Sequence, residues 1–223
     1  YNFHRKKLIL HRASMKFYES WLLKEGYEVQ YIETLNAESD CRLLIDRLAQ
    51  QKFTGVHIVD VADNWLHKRV AASCKKNKLT LHVHKSPNFL NTPGETDAYF
   101  KSKKTYFQTD FYTWQRKQRN LLMEKNGKPT GGKWTFDADN RERYPKKQKP
   151  PRVYLPPQTQ FLKEAVHYIE KLFPDNYGDV HHAPLFAATF EDAEKWLDDF
   201  LQNRFKEFGI YEDAIVQDET VLH

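Results

Sequence analysis

The chain has 223 residues, with 35 Lys and Arg against 30 Asp and Glu, a formal charge of +5 and a pI near 9.0. At 40% apolar and 14% aromatic residues it can build a sizeable core, as one large domain or one domain plus part of a second. No apolar run approaches the roughly 18–20 residues of a membrane span. The opening Tyr1-Asn2-Phe3-His4-Arg5 lacks a secretory apolar stretch, and two cysteines, Cys41 and Cys74, are too few for a disulfide framework or a four-thiolate site. The expectation is a cytoplasmic protein in a reducing compartment.

Read in chain order, residues 4–25 form an amphipathic helix with Leu8, Met15, Tyr18 and Leu22 at helical spacing, stopped by Gly26. Residues 28–33 alternate, with Val29 and Tyr31 on one side, as a strand does. A helix follows, capped by Ser39 or Asp40, with Leu44, Ile45 and Leu48 as its apolar face. Residues 56–61 are nearly continuously apolar, the pattern of a strand covered on both faces. Asp63 caps a third helix carrying Leu66, Val70 and Cys74, and Leu79, Leu81 and Val83 mark a third strand. Helix–strand alternation predicts an α/β fold, a Rossmann-like parallel sheet flanked by helices. The order begins with a helix and shows only three strands, so one or two strands are expected upstream of Tyr1.

After Lys85 the pattern changes. Pro87, Asn91, Pro93 and Gly94 read as a loop, then an aromatic, basic helical stretch runs over 99–124 and ends at Asn126-Gly127. Residues 141–157 hold five prolines among Lys146, Lys147, Lys149 and Arg152, and so form a stiff basic linker. Phe161, Ala165, Ile169 and Leu172 make a short helix that stops at Pro174. A stronger helix covers 191–208, with Ala193, Leu197, Phe200, Leu201, Phe205 and Phe208 on one stripe and Asp198 and Asp199 off it. The final Val221-Leu222-His223 carries no cap, and continuation beyond it is expected. The domain reading is 1–140 as an α/β domain, 141–157 as linker, and 158–223 as a helical connection into a following domain.

Charge is unevenly placed. Residues 101–152 carry 15 basic and 5 acidic side chains, whereas residues 153–223 carry 5 and 14. A basic middle points to an anionic partner. Within it, Lys101, Lys103, Lys104, Arg116, Lys117, Arg119, Lys125, Lys128 and Lys133 interleave with Tyr106, Phe107, Phe111, Tyr112, Trp114 and Trp134. Such a stretch can hold phosphates and stack bases, or it can pack its rings inward behind a solvated cationic face. Composition leaves both open.

Other motifs are weaker. The segment from Gly127 to Lys133 matches the start of a P-loop, but position 134 is Trp where Mg²⁺ needs a hydroxyl, so a glycine turn is the better reading. His82 and His84 share one side of a strand, a spacing open to metal ligation but better read as packing or surface residues. His181 and His182 read as loop, and the cysteines as inert helical thiols.

Gly131-Gly132-Lys133-Trp134-Thr135-Phe136-Asp137-Ala138-Asp139-Asn140-Arg141 closely resembles the G-G-K/R-W-x-F-D-x-D/E-N-R segment of the photolyase-related proteins, the bacterial iron–sulfur cryptochrome/photolyase family. His4-Arg5-Lys6-Lys7 through Met15-Lys16-Phe17 resembles that family's first helix, and Leu172-Phe173-Pro174-Asp175-Asn176-Tyr177-Gly178 its L-F-P-D-N-F/Y-G. Phe208-Gly209-Ile210-Tyr211-Glu212-Asp213-Ala214 is similar to the segment leading into its flavin domain. The resemblance implies a protein about twice this length. An antenna domain with a ribityllumazine pigment would precede an all-helical domain holding FAD and a four-cysteine [4Fe-4S] cluster.

The implied activity is (6-4) photolyase-type, light-driven DNA repair acting on UV-damaged DNA, with a cryptochrome photoreceptor as a close variant. None of the present residues would be catalytic, and the 223-residue chain alone is expected to be colourless and inactive. The resemblance also puts the linker near the damaged duplex, so Arg141, Arg143, Lys146, Lys147, Lys149 and Arg152 are the candidate DNA contacts. A reading from another class is a freestanding α/β nucleotide- or RNA-binding module using the basic aromatic stretch.

Overall fold

The computed structural model describes residues 2–180 and 186–215 and divides into two compact units, one of residues 30–108 and one of 1–29 with 109–223. His181 and His182 lie outside the described residues.

In the first unit, helix α2 (Cys41–Gln50) begins where Asp40 accepts a hydrogen bond from the Arg42 N–H, and α3 (Asn64–Lys76) where Asp63 accepts from the Leu66 N–H. Each cap satisfies an N–H that the first turn leaves unpartnered. Strands β1 (Gly55–Val59) and β2 (Thr80–His84) pair in parallel, with Gly55 opposite Thr80 and Val59 opposite His84. Ile45, Val70, Cys74 and Leu79 form the core, with Val56, Ile58 and Leu81 packed onto it. The alternation of the strands sends these side chains to the helices and His57, His82 and His84 to the opposite, exposed side.

Three parts of the sheet expectation fail here. Val29 and Tyr31 form no strand, and the sheet has two strands among the described residues. A period-2 pattern makes a segment ready for a ladder, but it becomes a strand only beside a neighbouring strand. The run at 56–61 is also shorter than expected, ending at Val59, and helices α2 and α3 share one face rather than sandwiching the sheet.

The expected helix over 99–124 is two. Helix α4 (Pro93–Phe100) starts inside the predicted loop, because Thr92 and Glu95 form a reciprocal capping box around Pro93. Helix α5 (Gln108–Arg119) follows after a non-helical stretch. Thr92-Pro93-Gly94-Glu95 is itself a helix-start signal, and proline and glycine masked it.

In the second unit, α1 (Arg5–Lys24) packs along α6 (Gln160–Leu172). The buried side chains are Ile9, Arg12 and Ala13 against Leu162, Ala165 and Ile169. This differs from the expected stripe, since Met15 and Tyr18 are half exposed. Two small residues, Ala13 and Ala165, let the helices approach closely, and that contact outweighs the larger side chains nearby. Arg12 lies over the Tyr168 ring at 3.6 Å and donates to Glu164 at 2.6 Å, so its long stem is buried with its charge answered.

His4 caps α1, its Nδ1 accepting from the Lys6 N–H. Its ring lies against Gly178, where an added Cβ would sit 2.4 Å from the imidazole, and meets Tyr177 edge-on at 5.0 Å. The Arg5 N–H donates to the Tyr177 carbonyl at 3.0 Å, and Asn176 donates to the Phe3 carbonyl at 2.8 Å. Two motifs about 170 residues apart thus form one structural joint. Beyond it come α7 (Phe190–Asn203) and α8 (Phe205–Tyr211), in place of the single helix expected over 191–208. The chain bends at Arg204, φ −127°, whose side chain turns inward to 1% exposure. No helix among the described residues is long and apolar enough to cross a membrane.

Candidate nucleic-acid interface

Residues 141–157 have no helix or strand, as five prolines dictate, but they are anchored at both ends. At the start, Tyr144 is 8% exposed and packs with Phe208, Tyr211 and Ala214. Its ring meets Tyr211 edge-on at 5.0 Å, and burial raises its phenol pKa. The Glu142 N–H donates to the Ile210 carbonyl at 3.2 Å, and Asn140 donates to Glu212 at 3.0 Å. At the far end, the Tyr154 N–H donates to Asp199 on α7 at 3.2 Å, and the same carboxylate oxygen receives Arg204, also at 3.2 Å. Asp198 and Asp199 stood out for lying off the apolar stripe, and Asp199 is used to hold the linker.

Between these anchors the six candidate cations, Arg141, Arg143, Lys146, Lys147, Lys149 and Arg152, are all exposed. A turn closed by the Gln148 N–H on the Pro145 carbonyl carries Lys146 and Lys147 at its tip. Arg141 lies 3.7 Å from Asp213, both well exposed, a pairing worth little in water. The arrangement gives a clamped, proline-stiffened loop with cations facing solvent. Such a loop loses little conformational freedom on meeting a phosphate backbone. Tyr144 was missed from sequence; its signal is that it is the large aromatic nearest the turn among the cations.

The basic aromatic stretch divides. Lys101, Lys103 and Lys104 with Tyr106 and Phe107 are exposed, as are Lys125 and Lys128. Arg116 is buried at 4% exposure and donates to the carbonyls of Leu121 at 3.2 Å, Leu122 at 2.5 Å and Trp134 at 3.2 Å. It is therefore a structural brace. Lys117 lies 4.8 Å from the centre of the Trp134 ring, and Lys133 pairs with Asp139 at 3.1 Å. Replacing Arg116 by Lys keeps the charge but loses the planar fork that reaches several carbonyls, and should cost about 2 kcal/mol of stability. Denaturant unfolding checks this; a change below about 0.5 kcal/mol, the ordinary surface effect, contradicts it.

The glycine turn also has a mechanical reason. Met123 and Pro129 bridge antiparallel around a turn at Asn126-Gly127, and Gly131 has φ +81° with the Phe136 ring 2.9 Å from where a Cβ would lie. The segment is a hairpin return and a ring contact, with no strand-to-helix phosphate cradle.

His57 and His82 stack at 4.3 Å, and His57 Nδ1 lies 3.0 Å from His84 Nε2. Among the described residues no group of three or more His, Cys, Asp or Glu is placed to hold a metal ion. The cysteines do not fit an iron–sulfur cluster. Cys74 is buried in the core, where desolvation pushes its thiol pKa up, whereas a cluster needs four thiolates.

Comparison with known proteins places these features. A (6-4) photolyase from Agrobacterium fabrum is 28% identical over 228 aligned positions, covering 99% of this chain and 44% of that protein. The uncharacterized protein R852 of Acanthamoeba polyphaga mimivirus is 33% identical over 150 positions, covering 65% of this chain and 74% of that one. The chain thus spans less than half the length of the photolyase it matches. Residues 1–185, which include the His4–Gly178 joint, the Gly131–Phe136 contact and the whole linker, match the description of one family. On that match, the chain belongs to the deoxyribodipyrimidine photo-lyase-related proteins.

Proposed function

We propose that this chain is the N-terminal portion of a light-dependent DNA repair flavoprotein of (6-4) photolyase/cryptochrome type, and that the linker cations position UV-damaged duplex DNA. The reading is supported by the match along 99% of the chain to a protein named a (6-4) photolyase. It is also supported by the family membership and by the six exposed cations on a clamped loop. In this scheme FAD, held by a helical domain outside the chain, supplies the electron that reverses a pyrimidine photolesion. A ribityllumazine antenna and a [4Fe-4S] cluster belong to the same proposal, the cluster on residues beyond this chain.

What this chain's residues would do is electrostatic and geometric. Arg141, Arg143, Lys146, Lys147, Lys149 and Arg152 neutralise phosphates without reading bases, so they set the register of the duplex and leave lesion choice elsewhere. Tyr144 and Asp199 keep that cationic edge in place.

Two experiments test the proposal. The protein encoded by the reading frame that contains this chain should show flavin absorption and, when illuminated, restore a duplex bearing a (6-4) photolesion. Flavin without repair favours the photoreceptor variant, and absence of flavin overturns the reading. Replacing Lys146, Lys147 and Lys149 together by Ala should weaken binding of damaged and undamaged duplex alike. It should also flatten log K against log salt by up to about three units, about 0.9 per phosphate contact. An unchanged slope would assign these lysines to solubility alone.

A further inference from the structure

The unit of residues 30–108 carries a second cationic surface, between α2 and α3. A cleft of about 430 Å³ is lined by Arg42 from α2 and by Trp65, Lys68, Arg69, Ala72 and Lys76 from α3. The α3 residues recur at three- and four-residue spacing and so form one helix face. Trp65 is 71% exposed, with the Lys68 ammonium 5.7 Å from its ring. The ring thus offers an open face to water beside cations.

The charges sort by partner. Arg42 forks onto Asp40, with Nη2 2.5 Å from Oδ2, and its side-chain and backbone hydrogen bonds hold the Asp40 carboxyl down to about 2. Arg69 adds to the positive field on the same carboxylate. Lys76 pairs with Asp46 at 3.1 Å. Four cations therefore face two carboxylates, and the excess lies on the Lys68 and Arg69 side, next to the exposed ring.

We propose that this cleft binds a single-stranded stretch of nucleic acid, one unpaired base stacking on Trp65 and its flanking phosphates meeting Lys68 and Arg69. An aromatic platform beside backbone-tracking cations is the combination that sequence-tolerant single-strand binding requires. A duplex presents no open base face to the ring. The eleven residue-to-residue steps from Trp65 to Lys76 cover about 16 Å of helix, a track for more than one nucleotide. An acidic peptide would use the cations but leave the ring without purpose.

The test uses this chain carrying Lys146→Ala, Lys147→Ala and Lys149→Ala, so the linker contribution is reduced and is the same in parent and variants, and changes at Trp65, Lys68 and Arg69 report on this cleft alone. Binding of an end-labelled oligothymidylate is followed by fluorescence anisotropy across a salt series. Trp65→Ala should weaken binding about tenfold and Trp65→Phe should recover most of it. Lys68→Gln with Arg69→Gln should flatten the salt slope by about 1.4, about 0.7 per single-strand phosphate. With its ring in solvent, Trp65 can be replaced without touching the core, and an unchanged far-ultraviolet circular dichroism spectrum confirms the fold. The proposal is overturned if Trp65→Ala binds as the parent does. It is equally overturned if polyglutamate displaces the oligonucleotide as well as unlabelled strand does, or if thymidine monophosphate competes equally per nucleotide.

Discussion

Gly178→Ala is expected to destabilise the unit that contains α1 and α6 by about 3 kcal/mol, through two additive causes. Gly178 sits at φ +95°, a backbone region that an L side chain enters only at a cost of about 1–3 kcal/mol. The added methyl would also overlap the His4 ring, and that ring is not at liberty to swing away. Its Nδ1 caps α1 by accepting from the Lys6 N–H, so moving it forfeits a cap worth about 1 kcal/mol. A mutant cycle separates the causes. In a His4→Ala background the glycine substitution should lose its overlap component and retain only the backbone strain. Equal costs in both backgrounds would show that the contact carries no energy.

Arg204→Met should cost a comparable amount, about 3 kcal/mol, although the volume is kept. The guanidinium is 1% exposed, pairs with Asp199 at 3.2 Å and lies 5.3 Å from the Phe200 ring centre. Removing one member of a buried pair leaves the other charge poorly compensated. Asp199 retains 20% exposure, which keeps the cost near the lower end of the roughly 3–5 kcal/mol that breaking a buried pair costs. Asp199→Asn in the same chain should return part of the loss, because the uncompensated charge is gone while an oxygen still accepts from the Tyr154 N–H. The functional consequence is local. With Asp199 disturbed, the end of the linker loosens, and trypsin should cut faster after Lys146 and Lys147. Additive stabilities in the double variant and unchanged cleavage would contradict the clamp.

Caps and core strands were legible because their signals are local. Asp40 and Asp63 cap where a short acceptor precedes an apolar helix, and Val56, Ile58 and Leu81 face the helices as their alternation demands. The buried face of α1 was not legible, because Ala13 and Ala165 matter by being small, and smallness shows only against a partner. Residues 28–33 have the rhythm of a strand, yet rhythm does not supply a neighbouring strand, and they are not assigned to the sheet. At the linker, the six cations and five prolines are plain in the sequence. Their anchoring by Tyr144 and Asp199 is not, since both contacts join residues 45 or more apart, or bury a ring that composition assigns to solvent. Arg116 shows the converse: it stood in a stretch whose composition left phosphate contact and inward packing both open, and it is consumed by three carbonyls.

The central claim is that the clamped linker meets the backbone of DNA and not its sequence or its damage. The direct measurement is the affinity of this chain for one duplex, with and without a (6-4) photolesion, over a series of salt concentrations. The account predicts equal affinities for the two duplexes. It also predicts a linear fall of log K with log salt, steeper than that of the Lys146→Ala, Lys147→Ala, Lys149→Ala variant by up to about three units. Binding that ignores salt, or a slope that survives the loss of all three lysines, would contradict it.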